Sequence, residues 1–219
     1  YVTGAFTGNV EFEGGANLKS QGGSDVFVAK FDTNGIIKWA LGFRGQQNDR
    51  GLAIALDQEK NILVSGTYGG AGKKSPFTHN LAVGGIRLPE GSHHGNACLA
   101  KLDPAGRPRW AKGVPSEEGG SSTAPALSTG PNNEIFVGGY FNALMKGNNG
   151  AYDYLRGSKK DGFVGKFLPD GTQSWIKTFE GNENDNVGAM QASPDGSVWT
   201  AVEIGAEYKS PVEVAGQKI

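Results

Sequence analysis

The 219-residue chain carries 21 Lys and Arg against 22 Asp and Glu, which gives a formal net charge of −1 at neutral pH. This balance offers no field that would attract nucleic acid or an anionic membrane, so we expect neither as a partner. No apolar stretch approaches the roughly 18 residues of a membrane-spanning helix. With one cysteine, Cys98, the chain has no internal disulfide. The length suits a single all-β domain over 1–219.

One sequence pattern, written three times, organises the chain. It joins an extended apolar run, a turn with glycine and a second extended run with Trp, and in each copy a Lys lies nine residues before the Trp. The copies span 25–42, 96–113 and 161–178. Such self-similarity predicts a repeat architecture. We place the repeats at approximately 1–62, 63–135 and 136–198, with a partial repeat at 199–219.

Each complete repeat predicts four short strands. In the second repeat we place the inner strand at 52–57, the second at 62–68, the third at 96–103 and the outer at 107–111. The turn at 32–35, Asp-Thr-Asn-Gly, suits a hairpin because Asp and Asn tolerate the left-handed backbone and Gly adopts positive φ. No segment combines helical periodicity with a capping signal, so we expect almost no helix.

The third strand is apolar on both faces, with Val26 and Val28 on one side and Phe27 and Phe31 on the other. A strand enclosed between two layers has this composition. Repeated four-stranded antiparallel units of this kind are typical of β-propeller blades, and a solenoid is the alternative. We predict two complete and two partial blades, an arc of a larger propeller whose end units contact the remainder of a longer parent chain.

Three segments resemble a known bacterial repeat. They are YVTGAFTGNVEFEGGANL at 1–18, GGSDVFVAKFDTNGIIKWA at 22–40 and NDRGLAIALD at 48–57, and they are similar to the SBBP repeat of seven-bladed β-propellers. The second repeat departs from the pattern, with Asn-Ala-Cys at 96–98 in place of Asp-Val-Phe. The resemblance implies a secreted or cell-surface bacterial protein, extracellular or periplasmic. The sequence has no Ser/His/Asp or Cys/His arrangement, no phosphate loop and no zinc spacing. We therefore expect a non-catalytic binding or structural module for a protein or glycan partner.

The polar pairs Asn48-Asp49 and Asn184-Asp185 occupy matching places before two inner strands. Carboxylates at this place suit a hard cation or sugar hydroxyls at the mouth of a propeller channel. The alternative is that these side chains satisfy the backbone amides of their own loops. Calcium is the cation we expect if one binds, with Asp49 and Asp185 as candidate ligands. The sequence predicts no other cofactor and no catalytic residue.

The connections between second and third strands vary most among the repeats. Variable loops on a rigid scaffold often carry binding residues, and Tyr152 and Tyr154 are the candidates in the third repeat, with ordinary solvated loops as the alternative. All three histidines, His79, His93 and His94, fall in one such connection. Adjacent histidines on an extended backbone point apart, which disfavours a metal site there.

Trp39, Trp110 and Trp175 lie at one equivalent position near the start of each outer strand. Aromatic residues repeated in register predict packing against the neighbouring blade, and the alternative is a platform for a sugar or cofactor. The Gly-x-x-x-Trp pattern also resembles the tryptophan-docking repeat of PQQ-dependent quinoprotein dehydrogenases. A quinoprotein or a saccharide-acting enzyme is therefore the alternative function. Cys98 stands where the other repeats have Phe, which predicts a small buried hydrophobic residue.

Overall fold

The computed structural model describes most of the chain. The described residues are 1–69, 82–88, 94–114, 120–142, 145–146, 152–153, 159–180, 183–205, 213–214 and 217–218. Within them every regular element is a β-strand, which confirms the all-β prediction. None of these residues belongs to a helix long and apolar enough to cross a membrane.

The strands fall into four groups in chain order. The first group is β1 (Val2–Phe6), β2 (Asn9–Glu11), β3 (Asn17–Lys19), β4 (Asp25–Phe31) and β5 (Ile37–Phe43). The second is β6 (Arg50–Leu56), β7 (Ile62–Tyr68), β8 (Ala82–Val83), β9 (Ile86–Arg87), β10 (Asn96–Leu102) and β11 (Pro108–Val114). The third is β12 (Ser121–Thr129), β13 (Ile135–Asn142), β14 (Met145–Lys146), β15 (Tyr152–Asp153), β16 (Asp161–Phe167) and β17 (Gln173–Glu180). The fourth is β18 (Asp185–Ala192), β19 (Val198–Ile204), β20 (Glu213–Val214) and β21 (Gln217–Lys218).

The longer strands form four antiparallel sheets that follow one another along the chain. In the described residues, sheet 1 contains β1, β4 and β5, sheet 2 contains β6, β7, β10 and β11, sheet 3 contains β12, β13, β16 and β17, and sheet 4 contains β18 and β19. Neighbours in each sheet are also neighbours in sequence once the short hairpins are set aside. The four strands predicted for the second repeat are confirmed, with shifts of a few residues at their ends.

Consecutive sheets stack face to face through apolar side chains. Ile62 and Val64 of β7 are buried in the cluster between sheets 1 and 2, whereas Leu63 is buried in the cluster between sheets 2 and 3. Alternate residues of a strand point to opposite faces, so one strand contributes to both clusters. The third strand β10 divides in the same way, with Cys98 in the first cluster and Leu99 in the second. The prediction of strands apolar on both faces is therefore confirmed, and Cys98 is buried as predicted.

In two groups, a short hairpin that follows the second strand connects to the sheet before it. In the second group, Ala82 of β8 exchanges two backbone hydrogen bonds, of 2.9 and 3.0 Å, with Arg44 at the end of the outer strand of sheet 1. In the fourth group, β20 pairs with the end of β17, the outer strand of sheet 3. The hairpin of one repeat thus extends the outer strand of the preceding sheet.

Each inner strand has a β-bulge close to its start. The register shifts between Gly51 and Ala53 in β6, and at comparable places in β12 and β18. The opposing residue on β7 is Gly66, where a Cβ would lie only 2.0 Å from the carbonyl oxygen of Arg50. A bulge increases the local twist and changes the direction of nearby side chains. This geometry positions the residues that surround the candidate site.

Candidate functional site

Inner and third strands begin at the same edge of each sheet, which we call the upper edge. The Asn-Asp pairs lie along this edge. Asn48 and Asn184 are exposed, whereas Asp49 and Asp185 are 2% and 0% exposed. The backbone N–H of Asp49 donates to the Ser24 carbonyl at 2.7 Å. Both residues of each pair therefore lie where the sequence predicts, at the start of an inner strand.

Each Asn side chain bonds to the sheet that precedes its own. Asn48 Oδ1 accepts the N–H of Ser24 at 3.1 Å, and Asn184 Oδ1 accepts the N–H of Lys160 at 3.1 Å. Ser24 and Lys160 stand directly before third strands of sheets 1 and 3. The alternative, in which these side chains satisfy the amides of their own loops, is wrong for Asn48 and Asn184, although both do accept backbone amides. The amides belong to the preceding sheet rather than to the loop of the Asn itself, because consecutive sheets stack closely here.

The two aspartates bond within their own sheets. Asp49 Oδ1 accepts the Gly69 N–H at 2.9 Å, and Asp185 Oδ1 accepts the Gly205 N–H at 2.9 Å. Each carboxylate thus joins the start of an inner strand to the end of the second strand. Burial raises the pKa of Asp49 to about 7, although the Gly69 N–H acts against this and the charge of Asp25 adds to it. Burial likewise raises the pKa of Asp185.

Sheet 3 uses the same position with different residues. Ser122 occupies the place of Asp49, since its N–H donates to the carbonyl of Gly95 at 3.0 Å just before the third strand of sheet 2. Asn142 occupies the place of Gly69, and its Oδ1 accepts hydrogen bonds from the N–H and the Oγ of Ser121 at 2.5 and 2.8 Å. The acceptor side chain has moved from the inner strand to the second strand. In sheet 3, a side-chain acceptor therefore still joins the start of the inner strand to the end of the second strand.

A metal site at the aspartates stays a prediction. The described residues contain no group of three or more His, Cys, Asp or Glu side chains able to hold a metal ion. Asp49 Oδ2 and Asp185 Oδ2 are buried and have no hydrogen-bond partner among the described residues. These oxygens are the atoms that would contact calcium if it binds. The two carboxylate oxygens of Asp25 accept the N–H groups of Gly45 and Gln21. Asp25 could therefore bind a cation only by giving up one of these hydrogen bonds.

The remaining sequence-predicted residues are less informative. Tyr152 lies in the short strand β15, and Tyr154 falls outside the described residues. His79 and His93 also fall outside them, whereas His94 lies at the upper edge, two residues before the third strand of sheet 2. The structure thus leaves the prediction of a binding role for Tyr152 and Tyr154 untested.

A cavity of about 330 Å³ opens on the upper edge between the inner strands β6 and β12. Its walls include Arg50 and the bulge residue Leu52 on one side and Tyr140 on the other. Beneath them Thr67 Oγ1 and Thr123 Oγ1 lie 2.7 Å apart, in a hydrogen bond that joins sheets 2 and 3. The cavity therefore lies at the junction of two sheets, and hydrogen bonds fix its lower wall.

Sequence reasoning did not identify the residues of this cavity. The register pairs Arg50 with Thr67 on sheet 2, and the equivalent inner-strand positions hold Thr123 on sheet 3 and Asn186 on sheet 4. Arg50 is thus a cation at a place where the other two inner strands carry neutral residues. A charged residue such as Arg50, at a position where the other repeats have neutral residues, is the sequence signal that could have indicated this site. Among the residues that the structure describes, Asn48 is the candidate binding residue from the sequence that also lines the cavity.

The repeated tryptophans pack between sheets, which confirms the structural interpretation for two of them. The place of a Cβ on Gly106, in the turn of sheet 2, is 3.2 Å from the ring of Trp39. The place of a Cβ on Gly171, in the turn of sheet 3, is 3.1 Å from the ring of Trp110. Trp110 Nε1 also donates to the carbonyl of Pro169 at 3.1 Å. These rings are occupied by contacts with the following sheet.

Comparison with known proteins shows a distant similarity. No protein-family model matches the chain. The chain is similar to the uncharacterized WD repeat-containing protein L264 of Acanthamoeba polyphaga mimivirus, with 25% identity over 179 residues. The aligned region covers 78% of this chain and 13% of that protein, so the chain spans a small part of its relative. Together with the stacked antiparallel sheets, this similarity points to a propeller-like repeat protein. The assignment to SBBP-type repeats stays a prediction.

Proposed function

We propose that this chain is a non-catalytic binding module that engages a protein partner on its upper edge. The observation that carries the proposal is the cavity between β6 and β12, where Arg50 and Tyr140 differ from their repeat equivalents on an otherwise repeated scaffold. Variable residues on a rigid frame are where binding usually resides. The similarity to a WD repeat-containing protein supports the proposal, because such repeats form four-stranded propeller blades with binding surfaces.

We also propose that the four sheets form an arc of a larger propeller. Leu63 is buried in the cluster between sheets 2 and 3, and its equivalent Phe136 is 1% exposed, whereas Trp199, at the equivalent place in sheet 4, is 71% exposed. A large aromatic face of this kind is normally covered by another element. A further sheet of the same type would bury Trp199 as sheet 3 buries Leu63. A secreted or cell-surface bacterial setting is part of this proposal and rests on the SBBP resemblance.

Selection from a random peptide library displayed on phage tests the proposed function. We expect enrichment of peptides that bind the chain and lose binding when Arg50 and Tyr140 are both replaced by Ala. Arg87→Ala, at an exposed cation on the hairpin strand β9 that does not line the cavity, is the matched control and should leave binding unchanged. A glycan array forms the second arm. Binding to glycans without enrichment of any peptide would contradict the proposal, as would peptides that bind the double variant equally well.

The alternative of a propeller enzyme has its own test. A quinoprotein holds an absorbing quinone, so a purified preparation with a quinone absorption band would favour that alternative. We expect no such band, because Trp39 and Trp110 pack against the following sheets rather than against an open channel.

A further inference from the structure

The cavity between β6 and β12 has a distinct electrostatic character. Arg50 and His94 contribute a guanidinium and an imidazole to its walls, and no Asp or Glu is among the described residues that line it. Arg50 is exposed and forms no ion pair with any described residue. The positively charged guanidinium of Arg50 is therefore available to a ligand in the cavity.

A second positive charge lies beside the opposite wall. Lys160 Nζ is 4.2 Å from the centroid of the Tyr140 ring, within the range of a cation–π contact. The Lys160 backbone is in turn fixed, because its N–H donates to Asn184 and its carbonyl accepts from Asp185. Cations thus lie on both sides of the opening, and each is on a strand or loop that hydrogen bonds hold in place.

The acid that precedes Arg50 in sequence, Asp49, is not among the residues that line the cavity. It is 2% exposed and its Oδ1 points to the N–H of Gly69. The repeat does not require a positive charge at the position of Arg50, because the equivalent residues on β12 and β18 are Thr123 and Asn186.

Planar guanidinium groups bind carboxylates through paired N–H donors. We propose that the cavity binds the side-chain carboxylate of an Asp or Glu residue of the protein partner, with the Arg50 guanidinium as its principal donor. This inference rests on the proposed function and specifies the chemistry of its site. The volume of about 330 Å³ accommodates a side chain rather than a folded segment. Leu52, which is 41% exposed, offers apolar contact to the methylene groups of that side chain.

Titration of the isotopically labelled chain, followed by amide NMR shifts, tests this inference. The probes are the acidic dipeptide Ac-Glu-Glu-NH₂, its neutral counterpart Ac-Gln-Gln-NH₂ and glucuronate. We expect the acidic dipeptide to shift amides at 48–52 and 121–123 with a Kd of about 1 to 10 mM, as one charge-assisted contact gives. Arg50→Gln should weaken binding at least about tenfold, whereas Arg87→Gln should have no effect.

Salt provides a readout that does not depend on a variant. Binding of the acidic dipeptide should weaken as NaCl is raised, because both cations are near the solvent. Equal binding of the neutral dipeptide would overturn the inference and leave the proposed function standing. Shifts with glucuronate alone would overturn it in favour of a sugar acid. Absence of shifts with all three probes would also overturn it, while the peptide selection decides the proposed function separately.

Discussion

The carboxyl group of Asp49 joins two strands of sheet 2 with one oxygen and leaves the other buried without a partner among the described residues. A buried charge without full hydrogen bonding destabilises a fold, and the group responds by holding its proton. This explains why the pKa of Asp49 rises from 3.8 to about 7. The residue therefore couples the stability of sheet 2 to pH.

The sign of that coupling follows from proton binding. Between pH 3.8 and about 7 the folded chain holds a proton on Asp49 that the unfolded chain has released. Stability contributed by Asp49 is thus present at low pH and is lost as the pH rises through about 7. We expect Asp49→Asn to gain several degrees in melting temperature relative to the parent between pH 4.5 and 8. Glu11→Gln, at an exposed carboxylate, is the control, and a constant difference across this range would contradict the assignment.

Trp39 and Trp199 form a matched pair for a second test at the scale of single residues. Trp39 is half-buried against Gly106 of the next sheet, whereas Trp199 is 71% exposed. We expect Trp39→Ala to lower the free energy of unfolding by about 3 kcal/mol, and Trp199→Ala to change it by less than about 0.5 kcal/mol. Urea unfolding measures both. Equal losses would mean that the repeated tryptophans do not join the sheets.

At the scale of elements, the start of each inner strand is where the repeat is most constrained. At this place the N–H of one residue bonds to the preceding sheet in all three cases, and these equivalent residues are Asp49, Ser122 and Asp185. Only the side-chain acceptor changes, from the aspartate of the inner strand to Asn142 of the second strand in sheet 3. This exchange predicts energetic coupling between positions 122 and 142.

A double-mutant cycle measures that coupling. Ser122→Asp alone places a second acceptor beside Asn142, and Asn142→Gly alone removes the acceptor of Ser121. Together the two substitutions restore the Asp and Gly arrangement of sheets 2 and 4. We expect the double variant to be more stable than the sum of the single losses predicts, by about 1 to 3 kcal/mol in urea unfolding. Additive losses would show that the two positions act independently.

The elements themselves were largely predictable, and their contacts were not. The strands of the second repeat follow from apolar periodicity and from turns with Gly, which are local signals. The places of Asn48 and Asp49 were predicted for the same reason. Their partners were not, because Ser24 and Gly69 come close only when sheets stack. The cavity was missed because its walls come from residues far apart in sequence, such as Arg50 and Tyr140.

At the scale of the whole molecule, the sheets stack in chain order and each inner strand packs on the sheet before it. Stability in such an array is close to a sum over neighbouring units, so an uncovered face weakens the unit that carries it. Sheet 4 presents Trp199 on such a face. We expect amides of β18 and β19 to exchange with solvent faster than those of β7 and β10, which are central strands of sheet 2. Slower exchange in β18 and β19 would contradict the proposed arc.

The location of the binding site on the upper edge is the central claim, and hydrogen–deuterium exchange with a bound peptide tests it most directly. The probe is the peptide with the highest enrichment in the phage selection, and the chain is measured with and without it. We predict slower exchange at 48–52, 67–69 and 121–123, and no change in the lower-edge turn at 103–107. Protection confined to that turn, with unchanged exchange around Arg50, would contradict the account.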